Sequence, residues 1–259
     1  MNWLHVIILS IIEGITEFLP ISSTGHMILA EGIMGMKSND FIQAFIISIQ
    51  LGAILSVVVL YWKRFFQTLT FYYKLFIAFL PAAFFGLLFG HYIDDLLQSV
   101  YLVAVMLIVG GVVLLFVDDW FNKTSVDQEV TFKKAFIVGL YQVLAMIPGT
   151  SRSAATIVGG MQQKLTKKTA AEFSFFLAVP TMFAATGYKL LEEYKAINIH
   201  NVDILIVGNV ISFIVAMFAI KSFISYLTNH GFKIFGYYRI IVGLVILLLY
   251  AFGVNLTIA

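Results

Sequence analysis

Six long apolar segments constrain the fold of this chain more than any other feature of its sequence. Each is close to the ~20 residues that a helix needs to cross the hydrocarbon core of a bilayer. Of the 259 residues, 61% are hydrophobic and 12% are charged, whereas a soluble domain averages about 25% charged residues. The sequence therefore predicts an all-α polytopic membrane protein that spans the bilayer at Phe41–Trp62, Leu75–Gly90, Val100–Val117, Phe173–Leu191, Val202–Leu227 and Ile240–Ile258.

Overall charge and cysteine content exclude several classes of function. The formal net charge of +2 is too small to indicate a nucleic-acid partner. There are no cysteines, so disulfides and thiolate chemistry are excluded. The first apolar segment carries Glu13 and Glu17 and lacks a basic leader, so we expect no cleavable signal peptide.

Two polar stretches lie beside apolar segments that are too short to cross a membrane. They read EGITEFLPISSTGH, ending at His26, and PGTSRSAAT, beginning at Pro148. The arm from Met27 to Met36 would give about 15 Å of helix, half of a hydrocarbon core of about 30 Å. Such an arm must return to the side from which it entered, and Ala135–Ile147 is short in the same way. We therefore predict two re-entrant helical hairpins whose polar tips lie at membrane depth.

The order of elements repeats along the chain. Each predicted half, 1–118 and 134–259, contains one re-entrant hairpin followed by three spans, and a polar linker at 119–133 joins the halves into a single membrane domain, 1–259. An odd number of crossings per half inverts the second half relative to the first. At an offset of 128 residues, Pro20, Ser23, Gly32 and Phe45 match Pro148, Ser151, Gly160 and Phe173.

The distribution of basic residues predicts the orientation of this inverted-topology repeat. If the connection that carries Lys63 and Arg64 is cytoplasmic, most other lysines and arginines also fall inside, including Arg239 in a predicted basic loop at Thr228–Arg239. That asymmetry fits the positive-inside rule. The first hairpin then enters from outside and the second from the cytoplasm, so their tips can meet near mid-membrane.

The residue types at the two tips favour phosphoryl transfer. The guanidinium fork of Arg152 suits phosphate oxygens, and the hydroxyls and helix starts around it add donors. Glu13 and Glu17 would repel a bare phosphate, so they either hold a divalent cation such as Mg²⁺ or Ca²⁺, or one of them acts as a base. The predicted phosphate-binding set is Ser22, Thr24, Thr150, Ser151, Arg152, Ser153 and Thr156.

The nucleophile is open at this point. Ser23 could attack phosphorus if a base takes its proton, and His26, three residues on, is one candidate for that base. In the alternative, His26 attacks and Ser23 binds the substrate, or a water attacks directly. The predicted catalytic residues are Glu17, Ser23, His26 and Arg152, and of the two carboxylates we favour Glu17 as the catalytic one.

Both polar stretches resemble the motifs of the undecaprenyl-diphosphate phosphatase family, the bacitracin-resistance type of membrane phosphatase. The resemblance implies removal of the terminal phosphate of undecaprenyl diphosphate, which recycles the lipid carrier of cell-wall synthesis. It also implies a divalent cation and an active site open to the outer face of the bacterial plasma membrane. The family's functional positions fall here on Glu13, Glu17, Ser23, His26, Ser151, Arg152 and Thr156.

The main rival interpretation is a transporter or flippase of a polyprenyl phosphate lipid. Inverted repeats with broken helices at the midplane are a transporter architecture. A carrier for an anion would use Arg152 and the hydroxyls but would gain nothing from two carboxylates. The expected partners are a polyprenyl diphosphate lipid and the bilayer itself, with a homodimer as a further expectation.

The inverted topology can be tested in this cysteine-free chain. Single cysteines placed at Thr70 and at His200 should react with a membrane-impermeant maleimide from opposite sides of the membrane, because an odd number of spans separates the two positions. The side of each position is measured by labelling each single-cysteine variant in right-side-out and in inside-out vesicles. Labelling of both from the same side would contradict the inverted arrangement.

Overall fold

The described part of the chain is built from α-helices. The computed structural model describes residues 1–36, 39–66, 68–192, 201–254 and 256, and these contain no β-strand, which confirms the predicted all-α class. In chain order the helices are α1 Trp3–Thr16, α2 Ser23–Ile33, α3 Asp40–Leu60, α4 Trp62–Phe65, α5 Leu69–Leu97, α6 Val100–Trp120, α7 Phe132–Leu144, α8 Arg152–Gln162, α9 Lys167–Glu192, α10 Val202–His230 and α11 Lys233–Ala251.

Six of these helices are long and apolar enough to cross a membrane: α3, α5, α6, α9, α10 and α11. Each predicted span falls on one of them, so the multi-pass membrane architecture is confirmed. The helix α1 is apolar but shorter. The helices α2, α7 and α8 are shorter than α1, and all three are too short to cross a bilayer.

Two predicted boundaries differ from the observed helices. The span predicted at Leu75–Gly90 is the middle of α5, which continues through Pro81, and α9 likewise continues through Pro180. Proline is tolerated inside apolar helices when neighbouring groups satisfy the freed carbonyl. The connection between the predicted spans Phe173–Leu191 and Val202–Leu227 lies largely outside the described residues, as do residues 257 and 258 at the end of the last predicted span.

The predicted basic loop at Thr228–Arg239 is wrong. The helix α10 continues to His230 and α11 begins at Lys233, so the connection is a tight turn through Gly231, whose φ is +76°. The turn is held from α6, because the backbone N–H of Phe232 donates to the carboxylate of Asp118 at 2.7 Å. Arg239 therefore lies two turns inside α11, where it is fully buried.

Two helical hairpins share an uncommon backbone conformation at their turns. Ser22, just before α2, has φ 69° and ψ 102°, and Ser151, just before α8, has φ 73° and ψ 115°. A positive φ is uncommon for residues other than glycine. The backbone therefore matches Ser22 with Ser151, an offset of 129, whereas the sequence alignment had matched Ser23 with Ser151. Ser23 and Arg152 are the first residues of the two returning helices.

The first arm of each hairpin packs closely on a long helix from the other half of the chain. A side-chain carbon at Gly14 would lie 2.7 Å from the backbone carbonyl oxygen of Ser212 in α10. The corresponding contact in the other hairpin is Gly139 of α7 against the backbone of Ala78 in α5. Small residues at such crossings let helix backbones approach each other in membrane proteins. These crossings fix the position of each hairpin against the long helix on which it packs.

Candidate active site

The two hairpin turns border one polar cavity. Its volume is about 180 Å³, and residues from α3, α5 and α9 close its sides. Four of the predicted tip residues from the first hairpin and two from the second reach it. The lining residues are Glu17, Ser22, Ser23, Thr24, Gln50, Leu97, Ala145, Met146, Pro148, Gly149, Ser151, Arg152 and Met182.

Glu17 connects the two turns through its carboxylate. The hydroxyl of Ser23 donates to Oε2 of Glu17 at 2.8 Å, and Nη2 of Arg152 donates to Oε1 at 2.9 Å. The Glu17 side chain is 8% exposed and that of Arg152 is 13% exposed. A charge-assisted pair with so little water around it fixes the carboxylate and the guanidinium firmly. One carboxylate thus orients both a hydroxyl and a cation towards the cavity.

Arg152 is held by several groups and still has an unused donor. Its Nη1 donates to the backbone carbonyl of Ser174 at 3.3 Å, and its guanidinium lies over the ring of Phe18 at 5.6 Å. The sulfur of Met182 is 3.2 Å from Nη2. The buried Nε–H makes no hydrogen bond within the described residues. An unpaired buried donor is costly, so Arg152 keeps a hydrogen-bonding group that the described residues leave unused.

The predicted phosphate-binding hydroxyls divide into two groups. Ser22, Thr24 and Ser151 line the cavity, beside the predicted catalytic residue Ser23. The other three lie behind it. Ser153 donates to the carbonyl of Leu19 at 2.7 Å, Thr156 bonds the hydroxyl of Ser174 at 2.6 Å, and the hydroxyl of Thr150 is buried without a described partner.

Thr156 and Ser153 act on the site through other residues. Thr156 donates to the carbonyl of Arg152 at 2.8 Å and pairs with Ser174, whose own carbonyl accepts from the Arg152 guanidinium. The Ser153 bond to Leu19 connects α8 to the turn of the first hairpin. Both hydroxyls therefore hold the cavity wall in place and are not among the groups that line the cavity.

His26 is engaged away from Ser23. Its Nδ1 lies 2.8 Å from the carbonyl oxygen of Ser22, and its Nε2 lies 2.8 Å from the hydroxyl of Tyr238 on α11. The two rings are stacked, with centroids 5.5 Å apart and planes 9° apart. Neither ring nitrogen contacts the Ser23 hydroxyl, which donates to Glu17 instead. The pairing of Ser23 with His26 as its base stays a prediction.

Glu13 lies one helical turn before Glu17 and is fully buried. Neither of its carboxylate oxygens accepts a hydrogen bond from a described donor, and the carboxylate interacts with that of Glu17. No group of three or more His, Cys, Asp or Glu side chains lies close enough to hold a metal in the described ranges. Mg²⁺ is commonly held by only one or two carboxylates, with substrate phosphates and water as the other ligands. The unpaired oxygens of Glu13 beside Glu17 fit that arrangement.

Arg239 is the residue of the site that the sequence interpretation missed. Its fully buried guanidinium donates to the carbonyls of Pro20 at 3.2 Å, Gly149 at 2.8 Å and Thr150 at 2.9 Å, which belong to the two turns. It also donates to two carbonyls of α6, those of Met106 and Leu107. An arginine within an apolar run usually has a function, and that signal was lost when Arg239 was assigned to a loop.

The comparison with known proteins decides the family. The family model described as "Bacitracin resistance protein BacA" matches residues 6–245. The chain belongs to this family. The resemblance found in the two sequence motifs is thereby confirmed over nearly the whole chain.

Curated relatives of this BacA-family protein carry the name undecaprenyl-diphosphatase. The protein of that name from Flavobacterium psychrophilum is 60% identical over 255 residues, which cover 97% of each chain. The one from Flavobacterium johnsoniae is 58% identical and covers all of both chains. A more distant one, from Aquifex aeolicus, is 46% identical over 93% of this chain and 96% of its own.

Loss of the Arg239 guanidinium should destabilise this BacA-family protein. Arg239→Met leaves the carbonyls of both turns without their donor, at about 1–3 kcal/mol for each buried unsatisfied group. We expect a lower midpoint of thermal unfolding in detergent, measured by circular dichroism, and a smaller decrease for Arg239→Lys.

The exposed Arg64 provides a matched control for that experiment. Arg64→Met removes the same charge from a short surface helix and should leave the midpoint nearly unchanged. Equal midpoints for Arg239→Met and Arg64→Met would contradict the role assigned to Arg239.

Proposed function

We propose that this protein hydrolyses undecaprenyl diphosphate to undecaprenyl phosphate and inorganic phosphate. This activity recycles the lipid carrier of cell-wall synthesis and confers resistance to bacitracin. The observation that carries the proposal is the carboxylate of Glu17, held between the Ser23 hydroxyl of one turn and the Arg152 guanidinium of the other. The names of the full-length relatives support the same substrate.

In the first step, the Ser23 oxygen attacks the terminal phosphorus of the lipid diphosphate. Its proton passes to Oε2 of Glu17, to which the hydroxyl already donates. The bond from the terminal phosphorus to the bridging oxygen breaks, and undecaprenyl phosphate leaves with the electron pair. We favour Ser23 over His26 as the nucleophile, because both ring nitrogens of His26 already have partners. The product of this step is a phosphoserine.

The second step returns the enzyme to its starting state. Water attacks the phosphoserine, the bond from phosphorus to the Ser23 oxygen breaks, and Glu17 gives its proton back to that oxygen. Inorganic phosphate leaves, and the net reaction releases one proton to solvent. The same carboxyl group serves as the general base in the first step and as the general acid in the second.

Arg152 stabilises the charge that spreads over the phosphoryl oxygens in the transition state. Its pairing with Glu17 makes this contribution depend on proton transfer. While Glu17 is ionised, it shares the positive charge of Arg152 across a 2.9 Å bond. When Glu17 takes the Ser23 proton, that partner becomes neutral and more of the Arg152 charge is available to the phosphoryl group. The stabilisation therefore grows at the moment at which charge moves to phosphorus.

A divalent cation, Mg²⁺ or Ca²⁺, is proposed to bind between Glu13 and Glu17. The support is the pair of buried and unpartnered oxygens on Glu13, together with the negative charge of the diphosphate that the site must accept. When bound, the cation would neutralise part of the charge of the substrate phosphates. Glu13 is the principal ligand in this proposal, because the oxygens of Glu17 already accept from Ser23 and Arg152.

The proposed setting is the bacterial plasma membrane, with an inverted repeat of two re-entrant hairpins and a cavity open to the outer face. Three observations support it. The first arms α1 and α7 cross α10 and α5 in matching ways through Gly14 and Gly139. Both turns place a serine in a left-handed conformation. Leu97, at the end of α5 far from the basic residues of α4, borders the cavity.

A transporter or flippase of a polyprenyl phosphate is the less favoured function. Such a carrier would need the cation Arg152 and a set of hydroxyls to bind its anionic cargo. It has no use for a serine hydroxyl that donates to a carboxylate, because that pair activates an oxygen for attack.

Glu17→Gln tests the proposed chemistry. The amide keeps the shape of the side chain but cannot take a proton, so phosphate release from undecaprenyl diphosphate by the detergent-purified protein should fall about 100-fold or more. Excess divalent cation should not restore it. Glu129→Gln, at an exposed carboxylate paired with Lys74, is the matched control and should keep wild-type turnover. Similar rates for the two variants would contradict the role of Glu17.

A further inference from the structure

We infer that Tyr238 is a positioning residue for the phosphatase reaction, and that it acts by fixing the tautomer and orientation of His26. This inference rests on the proposed function, in which the turn beside His26 presents the attacking hydroxyl. The juxtaposition that carries it is the chain of bonds from Tyr238 to His26 to the carbonyl of Ser22.

The partner of Nδ1 determines which ring nitrogen of His26 carries the proton. A backbone carbonyl can only accept, so the 2.8 Å contact with Ser22 requires a proton on Nδ1. In the neutral imidazole, Nε2 then has a lone pair, and the Tyr238 hydroxyl donates to it across 2.8 Å. The two partners together select one tautomer, because each supplies what the nitrogen facing it requires.

A tyrosine hydroxyl suits this position because it can both donate and accept. It donates to the neutral imidazole, and it would accept from Nε2 of the imidazolium. His26 can therefore change its charge without breaking its bond to the Ser22 carbonyl. The two rings are stacked, with planes 9° apart and centroids 5.5 Å apart, and this packing restrains the orientation of both.

The carbonyl at the end of this chain belongs to a residue in an unfavourable conformation. Ser22 has a φ of 69°, a strained conformation for a residue with a side chain that persists only because its surroundings hold it. The bond from His26 Nδ1 is one of those restraints. Because Ser23 follows directly and begins α2, the direction of the Ser22 carbonyl determines where the Ser23 hydroxyl points.

The surroundings of Tyr238 make it a suitable residue to substitute. Its side chain is 43% exposed, so removal of the hydroxyl leaves no buried cavity. The next residue, Arg239, is buried against both turns and stays unchanged in the test. The preceding Tyr237 is 60% exposed and offers a matched control on the same helix.

The decisive experiment combines turnover with histidine NMR. Tyr238→Phe keeps the stacked ring and removes the hydroxyl, and it should lower kcat about tenfold, the value of one hydrogen bond, with KM changed less than about twofold. In a His26→Asn background the same substitution should have no further effect. Tyr237→Phe should match the wild type in both backgrounds. An equal loss from Tyr238→Phe with and without His26 would overturn the inference.

The NMR measurement separates this inference from the proposed function, since it needs no turnover. In ¹⁵N-histidine-labelled protein, the His26 signals, assigned with the His26→Asn variant, should show a protonated Nδ1 and an unprotonated, hydrogen-bonded Nε2. Tyr238→Phe should shift the Nε2 signal and Tyr237→Phe should not. If the wild type shows this pattern but releases no phosphate, the proposed function fails, while the part of the inference that Tyr238 fixes the tautomer of His26 stands. If Tyr238→Phe leaves the His26 signals unchanged, the positioning role is wrong.

Discussion

The five hydrogen bonds that Arg239 donates to backbone carbonyls are the interaction on which the rest of the structure depends. Each of the two hairpins breaks its helix at a turn, and a broken helix leaves carbonyls without partners. In an apolar environment such groups must be satisfied by protein, because no bulk water reaches them. One guanidinium satisfies Pro20 of the first turn together with Gly149 and Thr150 of the second, and it holds both against α6.

That arrangement determines how the few charged groups around the cavity are paired. Arg239 occupies carbonyls and leaves the carboxylate of Glu17 to Arg152 and Ser23. Glu13, one helical turn before Glu17, accepts no hydrogen bond from a described donor, and this is the observation behind the proposed cation site. Behind the cavity, the pair of Thr156 and Ser174 holds the backbone to which Arg152 is bonded. Of the groups that line the cavity, Glu17, Ser23 and Arg152 are held by hydrogen bonds to one another and to the carbonyl of Ser174.

Much of this could be predicted from the sequence because apolar length and residue type are local signals. The six spans follow from the length of apolar runs, and the cavity-lining residues Glu17, Ser23 and Arg152 follow from two polar motifs in an apolar chain. The turns of the hairpins were located by Pro20 and Pro148. Helix ends were less predictable, because the helices continue beyond the apolar runs that mark the spans: α5 extends from Leu69 to Leu97, and α9 begins at Lys167.

What the sequence could not show depends on distant contacts. The depth of Arg239 follows from a turn at Gly231 that α6 stabilises through Asp118, and no local pattern in the basic segment indicates that contact. The match of Ser22 with Ser151 is a property of backbone angles, so an alignment of identical residues misses it by one position. The partner of His26 lies 212 residues away on α11, whereas proximity in sequence had suggested Ser23.

The central claim is that the two turns form one catalytic site. The first turn carries the nucleophile, Ser23, and the second carries the guanidinium of Arg152. The rate of phosphate release by Arg152→Lys tests it most directly, because this variant keeps the charge of the second turn and removes the guanidinium fork. The account predicts that kcat falls about 100-fold or more while the midpoint of thermal unfolding stays near that of the wild type. Turnover close to the wild-type rate in a folded Arg152→Lys protein would contradict it.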